Sequence, residues 1–338
     1  KMGFKRLDAE DFVVSADSIQ GVAWSTGAPT LTQFFTSSVQ AAGTSGNYYL
    51  SIYQVDVTGS NTAVQFDIAY ADILGSGTSL FDPGISGKSP SSTVYGQYRS
   101  LVLEDETAGF VFGDGTNSLS ANNFWVLSVE RARYKEKLFP GTFNLTLTGN
   151  GGTLHLTDNS NDTTVQTFLG SNRVLQVVSG SNGTSGTLAN NGYVAGSGSY
   201  GLFLPDIGTV LLNPYAISQS IEVDALRSTN TNDNNPVTLY DSIVGGASFT
   251  LNSEETITSD YVFVRSRNSE FNYSENPSFI SGSTGEVIYT QFINNPQVYM
   301  TTIGMYNDAN ELVAVAKLSK PLLKDFTKES LVRVKLDF

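Results

Sequence analysis

The 338-residue sequence contains no cysteine, a single histidine and two tryptophans, and only 15% of its residues are charged. Without cysteine there is neither a disulfide framework nor a thiolate metal site, so packing and association must supply stability. His155 is the lone histidine, so a histidine metal cluster is excluded and any nucleophile–base relay would have to be built on that one ring. Cations are scarce as well: 19 Lys and Arg face 32 Asp and Glu, giving a net charge of −13 and a pI of about 4.4. Such a chain lacks the basic face that displaces counterions from a phosphate backbone, which argues against a nucleic-acid partner. No stretch reaches the length of a transmembrane helix, and the opening KMGFKRLDAEDF lacks the apolar core of a secretory signal. The expectation is therefore no membrane insertion and synthesis in a cytoplasm.

Ser, Thr, Asn and 32 Gly take the place of charge, among 40% hydrophobic and 11% aromatic residues. This mixture favours short strands and turns over solvent-exposed helices. The predicted fold class is mainly β, with two or three β-sandwich- or barrel-like modules, long loops and few short helices.

Alternation supports that reading along the chain. Tyr49, Ile52 and Tyr53, then Val64, Phe66, Ile68 and Tyr70, predict two paired strands around the turn Thr58-Gly59-Ser60-Asn61. The run Gly75 to Ser92 is too rich in Gly, Ser and Pro for a regular element and is expected to be a long loop or an arm across a neighbour. STVYGQYRSLVLEDET could form a short helix, and AGFVFGDG and NNFWVLSVERARYKEK return to strand-like patterns. Phe143, Leu145 and Leu147 alternate into Gly149-Asn150-Gly151-Gly152, and Leu154 and Leu156 alternate away, which predicts a hairpin with one buried face. Further short strands are expected at Val165 to Leu169, Arg173 to Val178 and Thr209 to Leu212. Breaks near Pro140-Gly141 and TNTNDNNP (Thr229 to Pro236) suggest domains at 1–137, 138–228 and 229–338.

In the last third, YVFVRSRNSEFNYSENPSFI (Tyr261 to Ile280) runs from strand into a polar turn. YMTTIGMYNDANELVAVAKLSKPL (Tyr299 to Leu322) then reads as strands around Thr301 to Tyr306 and Leu312 to Leu318, joined by Asn307-Asp308-Ala309-Asn310. Charge is uneven. From Leu138 to Asp260 two basic residues face ten acidic ones, whereas from Lys317 onward six basic residues face three acidic ones. The basic end makes Lys317, Lys320, Lys324, Lys328, Arg333, Lys335 and Phe338 candidate assembly contacts, with alternating charge on a solvated edge strand as the plainer explanation.

No catalytic constellation emerges. His155 sits mid-strand, opposite Leu154 and Leu156, where a half-exposed polar position explains it. The carboxylates Glu104-Asp105-Glu106 and Glu254-Glu255 are adjacent, so on a strand they point apart rather than straddling a sugar. FGDGTN (Phe112 to Asn117) and TNTNDNNP miss the spacing of a twelve-residue calcium loop. The glycines of GYVAGSGSYG (Gly192 to Gly201) precede no lysine of a phosphate loop. Trp24, Tyr48, Tyr49, Tyr95 and Tyr98 could form a sugar-stacking platform or an ordinary sheet core. These readings predict no catalytic, cofactor or metal site.

The C-terminal wording, together with RARYKEKLFPGTFNLTLTG (Arg131 to Gly149), NRVLQVVSGS (Asn172 to Ser181) and YGLFLPDIGTVLLNPYAI (Tyr200 to Ile217), resembles structural proteins of tailed-bacteriophage virions, especially contractile-tailed phages of marine cyanobacteria. The resemblance covers roughly the C-terminal two-thirds. It implies a non-enzymatic virion subunit of the tail or baseplate, made in the host bacterial cytoplasm, whose partners are other virion proteins and copies of itself. A fibre or adhesin binding a host-surface glycan and a capsid decoration protein are the alternatives.

Overall fold

A computed structural model of the chain describes residues 5–36, 49–59, 62–77, 89–115, 117–186, 189–227 and 234–337. It is mainly β, with few short helices. The chain divides into two compact units, Ser18–Glu255 and the pair of segments Lys1–Asp17 and Thr256–Phe338, called below the body and the terminal unit. The expected breaks at 137 and 228 both fall inside the body, because the segments before and after them contribute to one sheet and one core.

The main sheet of the body is antiparallel. Its strands lie in the order Thr30–Leu31, Phe249–Thr250, Asn144–Gly149, Gly152–Asp158, Asn172–Ser181, Gly201–Leu204, Thr209–Leu212, Asn123–Val129, Val64–Asp72, Tyr49–Tyr53 and Phe35–Thr36. The two outermost strands are only three residues apart in sequence, so Leu31 and Phe35 lie at most about 14 Å from one another. An eleven-strand path whose edges must meet within that distance has to curl. Aromatic contacts close the roll from inside: Phe66, near one edge, has its ring centroid 5.3 Å from that of Phe249, near the other, and Trp24 lies 5.0 Å from Phe249.

Central strands are apolar on both faces because both faces are covered. In Asn123–Val129, Trp125, Leu127 and Val129 enter the inner core while Phe124 and Val126 enter an outer one. The inner core is closed by the helices Pro214–Ile221 and Asn235–Gly246, whose Ile217, Ile221, Leu239 and Ile243 are buried. The outer core is closed by the helix Pro90–Tyr98 and the hairpin Phe110–Asp114/Asn117–Ala121, through Tyr95, Phe110 and Phe112. Ser89 starts the first helix with a capping box to Ser92, and Pro90 occupies a position where its missing N–H costs nothing.

The hairpin expected around Asn150 is present, with Leu145 opposite Leu156, Leu147 opposite Leu154 and Thr146 opposite His155. Strands 49–53 and 64–72 pair as expected. The short helix expected in STVYGQYRSLVLEDET begins two residues earlier, at Pro90, inside the Gly75 to Ser92 run that was expected to hold no regular element, because Ser89 and Pro90 supply its cap and first turn. Most of the Gly75 to Ser92 run, Tyr48, Ser60, Asn61, Phe338 and most of TNTNDNNP lie outside the described residues.

Candidate assembly interface

The residues first considered for chemistry occupy structural positions. His155 Nδ1 lies 3.2 Å from Thr146 Oγ1 on the exposed side of its hairpin. Glu104 is left-handed at a helix end and accepts from the Ser171 N–H at 2.8 Å, while Asp105 accepts from the Thr107 N–H and hydroxyl, both at 2.7 Å. Each is held below its ordinary pKa by those bonds, Glu104 chiefly by the Ser171 side chain and Asp105 chiefly by the Thr107 N–H. Glu254 is buried, accepts from Ser18 Oγ at 2.5 Å and lies 3.8 Å from Lys137 Nζ, whereas Glu255 is half-exposed, as alternate strand positions require. The glycine run ends in a turn fixed by buried Asn213, whose Nδ2 donates to Ser197 O at 2.7 Å and Ser199 O at 2.8 Å. Among the described residues no cluster of three metal-ligating side chains occurs, and no helix is long and apolar enough to cross a membrane. The aromatic platform does not survive as a group: Trp24 and Tyr95 are core residues, because the curled sheet and the first helix close over them.

The terminal unit is built differently. Its strand residues come from Phe12–Val22 as far as Asp17, from Asn252–Ser266 beginning at Thr256, and from Ser330–Asp337, with Ser259 to Ser266 pairing antiparallel with Asp337 to Ser330. Gln297–Tyr306 and Leu312–Asp325 form a separate two-stranded ribbon, the expected hairpin lengthened at both strands. Its tip is set by Asn310 in a left-handed conformation, and by Asn307, whose Oδ1 accepts from the Glu311 N–H at 2.8 Å.

Of the described apolar side chains in this hundred-residue unit, two are buried, Val262 and Val334, and they are register partners of one another. Phe12, Val13 and Val14 on the first strand are exposed, as are Tyr299, Leu312, Val313 and Val315 on the ribbon and Phe326 and Leu331 beyond it. A domain of this length normally hides more than half of its unfolded surface, and a two-stranded ribbon alone is marginal in water. The charge partition runs the same way: the body carries a net −11 and the terminal unit only −2. The less charged unit, although much the shorter, holds more of the exposed large apolar side chains than the body does.

The proposed contacts divide accordingly. Lys324 is fully buried: its Nζ donates to Asn272 Oδ1 at 2.7 Å, Asp325 O at 3.0 Å and Asn268 O at 3.1 Å. Its charge is used inside the unit to hold the turn after the long strand, so it is no surface contact. Lys317, Lys320, Lys328, Arg333 and Lys335 are exposed; Lys328 lies 3.6 Å from Asp325, Lys335 is 2.8 Å from Asp337, and Arg333 sits over the Tyr261 ring at 5.3 Å. Sequence reasoning concentrated on these cations and passed over the exposed apolar residues between them, for which LVAVA in a two-stranded hairpin was the available signal.

Acid should loosen this unit first. Asp325 is held below the ordinary carboxylate range by the Thr327 hydroxyl and N–H, Asp337 by Lys335 and then Ser259, and Glu270 by the Arg267 N–H. A depressed folded-state pKa contributes stability above the unfolded value that is lost as pH falls through the folded one. The body has depressed carboxylates of its own, Glu104, Asp105 and Asp56, the last held down by the Thr58 N–H, but there Asp67 and Asp158 are pushed up by burial, so their protonation favours folding and offsets the loss. As pH drops below about 4, hydrogen exchange is expected to rise in 297–337 before it rises in 123–129 and 201–212. Simultaneous loss of protection in both would refute this.

No family model, no curated protein and no solved structure matches the chain.

Proposed function

We propose that the chain is a non-enzymatic structural subunit of a tailed-phage virion, placed in the tail or baseplate, and that it works by protein–protein assembly. One observation carries the assembly part: a hundred-residue unit with two buried apolar side chains among its described residues is completed by something outside the chain. The sequence resemblance supplies the virion context. The doubly covered, curled sheet of the body fits a rigid spacer, and the near-neutral terminal unit fits a joint.

The test is immunogold labelling of intact virions and contracted tails of a phage that carries this chain. Label at the distal tail is expected. Label over the head would replace the tail placement by a decoration role, and label on no particle would overturn the virion reading.

A second reading has one observation in its favour. Tyr273, Tyr289 and Tyr299 on the terminal unit are 62%, 52% and 67% exposed, and such rings can stack on sugars. A glycan-binding fibre is then expected to lose host-surface binding when all three become alanine, with particle incorporation unchanged.

A further inference from the structure

The ribbon has two unlike faces. A Cβ built on Gly304 would meet Tyr306 Cε2 at 3.1 Å and Leu312 Cδ1 at 3.3 Å, so both side chains lie over Gly304. Gly304 is the register partner of Val315, and Thr302 that of Lys317. One face therefore carries Tyr306, Leu312 and Val315 in a row, all exposed, and ends at Lys317. The opposite face, with Ile303, Met305, Ala314 and Ala316, is half-buried.

Charge is arranged along the length of the ribbon. Asp308 and Glu311 stand at the turn end, and Lys317 and Lys320 at the other, with only apolar side chains from Leu312 to Ala316 between them. Glu311 to Lys317 spans six residues, about 20 Å in a strand. The sequence acid–apolar–base is self-complementary when two copies are laid antiparallel: the acidic end of each meets the basic end of the other, and the apolar centres coincide. Laid parallel, like charges meet. The existing partner of Asp308 is Arg6, 3.8 Å away, with both side chains almost fully exposed, a pair that contributes little. Asn307 Nδ2 donates to Glu311 Oε2 at 2.7 Å, which fixes that carboxylate at the turn without neutralising it.

We propose that this face of the ribbon docks on the same face of a second copy of the chain about a two-fold axis near Leu312–Val315, with Asp308 and Glu311 of each copy opposite Lys317 and Lys320 of the other. The inference rests on reading the terminal unit as an assembly module and names its partner. Tyr306, Leu312 and Val315 offer on the order of 300 Å² per copy, so the pair hides less than the roughly 1,200 Å² of stable interfaces. Two isolated copies consequently associate weakly, with Kd in the range of about 10–100 μM. In a particle, where other contacts hold the copies together, effective concentration makes the same contact persistent.

The experiment is sedimentation equilibrium on the full chain over a concentration series, with far-UV circular dichroism to confirm that each variant keeps its β signal. Wild type is expected to dimerise. Lys317→Glu with Lys320→Glu, which makes both ends acidic, and Asp308→Lys with Glu311→Lys, which makes both basic, should each weaken self-association at least about 100-fold. An equimolar mixture of the two should pair again, and the fourfold swap, whose net charge equals wild type, should recover wild-type dimerisation. A wild type that stays monomeric to about ten times the upper Kd given above, or a dimer indifferent to all these changes, overturns the proposal. If particles are labelled while the chain stays monomeric, the ribbon pairing fails and the virion reading stands. If the chain dimerises as described but labels no particle, the pairing stands and the virion reading fails.

Discussion

Phe249→Ala is expected to lower the stability of the body by about 4 kcal/mol. Phe249 is fully buried, and its ring lies 5.0 Å from Trp24, 5.3 Å from Phe66 and 5.8 Å from Phe143. Its strand, Phe249–Thr250, is two residues long and pairs with Thr30–Leu31 on one side and Asn144–Leu145 on the other. So short a strand is held by its side chain as much as by its ladder. Truncation removes the ring and leaves a cavity bounded by sheet from several sides, which cannot collapse without moving the closure of the roll. Phe249→Leu keeps most of the volume and should cost about 1.5 kcal/mol or less. Phe168→Ala, at a ring that is 55% exposed, should stay within about 0.5 kcal/mol. Both tryptophans, Trp24 and Trp125, lie in the body, so urea unfolding followed by tryptophan fluorescence reports this unit and not the other. A loss no larger for Phe249→Ala than for Phe168→Ala would mean that the aromatic closure contributes nothing.

How far the sequence foretold this architecture depends on where period-two patterns coincide with one-sided burial. Phe143 to Leu156 was readable because that hairpin buries one face only, so leucines alternate with Thr146 and His155. Asn123–Val129, Gly201–Leu204 and Thr209–Leu212 are buried on both faces and show no alternation; they announce strands but not which side faces which core. The helices Pro214–Ile221 and Asn235–Gly246 were missed, although each has an Asn-Pro at its start, because in a Gly/Asn-rich chain that dipeptide reads equally well as a turn. The domain breaks failed for a related reason: turn-rich composition marks every connection of a curled sheet, not only those between units. In the terminal unit the ribbon was legible from its turn and its apolar strands. That its apolar residues are uncovered was not, since LVAVA has the same wording in a core and on a surface.

Asn235→Ala should cost about 3 kcal/mol, again read by tryptophan fluorescence. This amide is fully buried. Its Nδ2 donates to Gly77 O and Leu226 O, both at 2.7 Å, and its Oδ1 accepts from the Leu226 N–H at 2.9 Å, while its own carbonyl accepts from Trp125 Nε1 at 2.9 Å. One side chain thus joins Gly77 in the segment that follows the strand Val64–Asp72, Leu226 in the segment after Glu222 and the start of the helix Asn235–Gly246. The same seam carries the bond from Arg227 Nε to buried Asp72 Oδ2 at 2.5 Å. Alanine leaves three backbone groups to find other partners in a closed space, and each costs about 1 kcal/mol or more when it finds none. Asn235→Asp separates hydrogen bonding from shape, because the isosteric carboxylate can still accept from Leu226 N–H but cannot donate to the two carbonyls, and its charge is buried beside them. The pKa of that new carboxyl is raised in the folded state. Its protonated form, which regains one donor, is therefore favoured by folding, and stability present below the unfolded pKa is lost as pH rises through the folded one. Relative to wild type, Asn235→Asp is expected to be least destabilising near pH 4 and as damaging as alanine or worse at pH 7. If it matches wild type at pH 7, the two donated bonds do not hold the seam. If it is equally weak at both pH values, the carboxylate has reached water and the site is not closed as the buried amide implies.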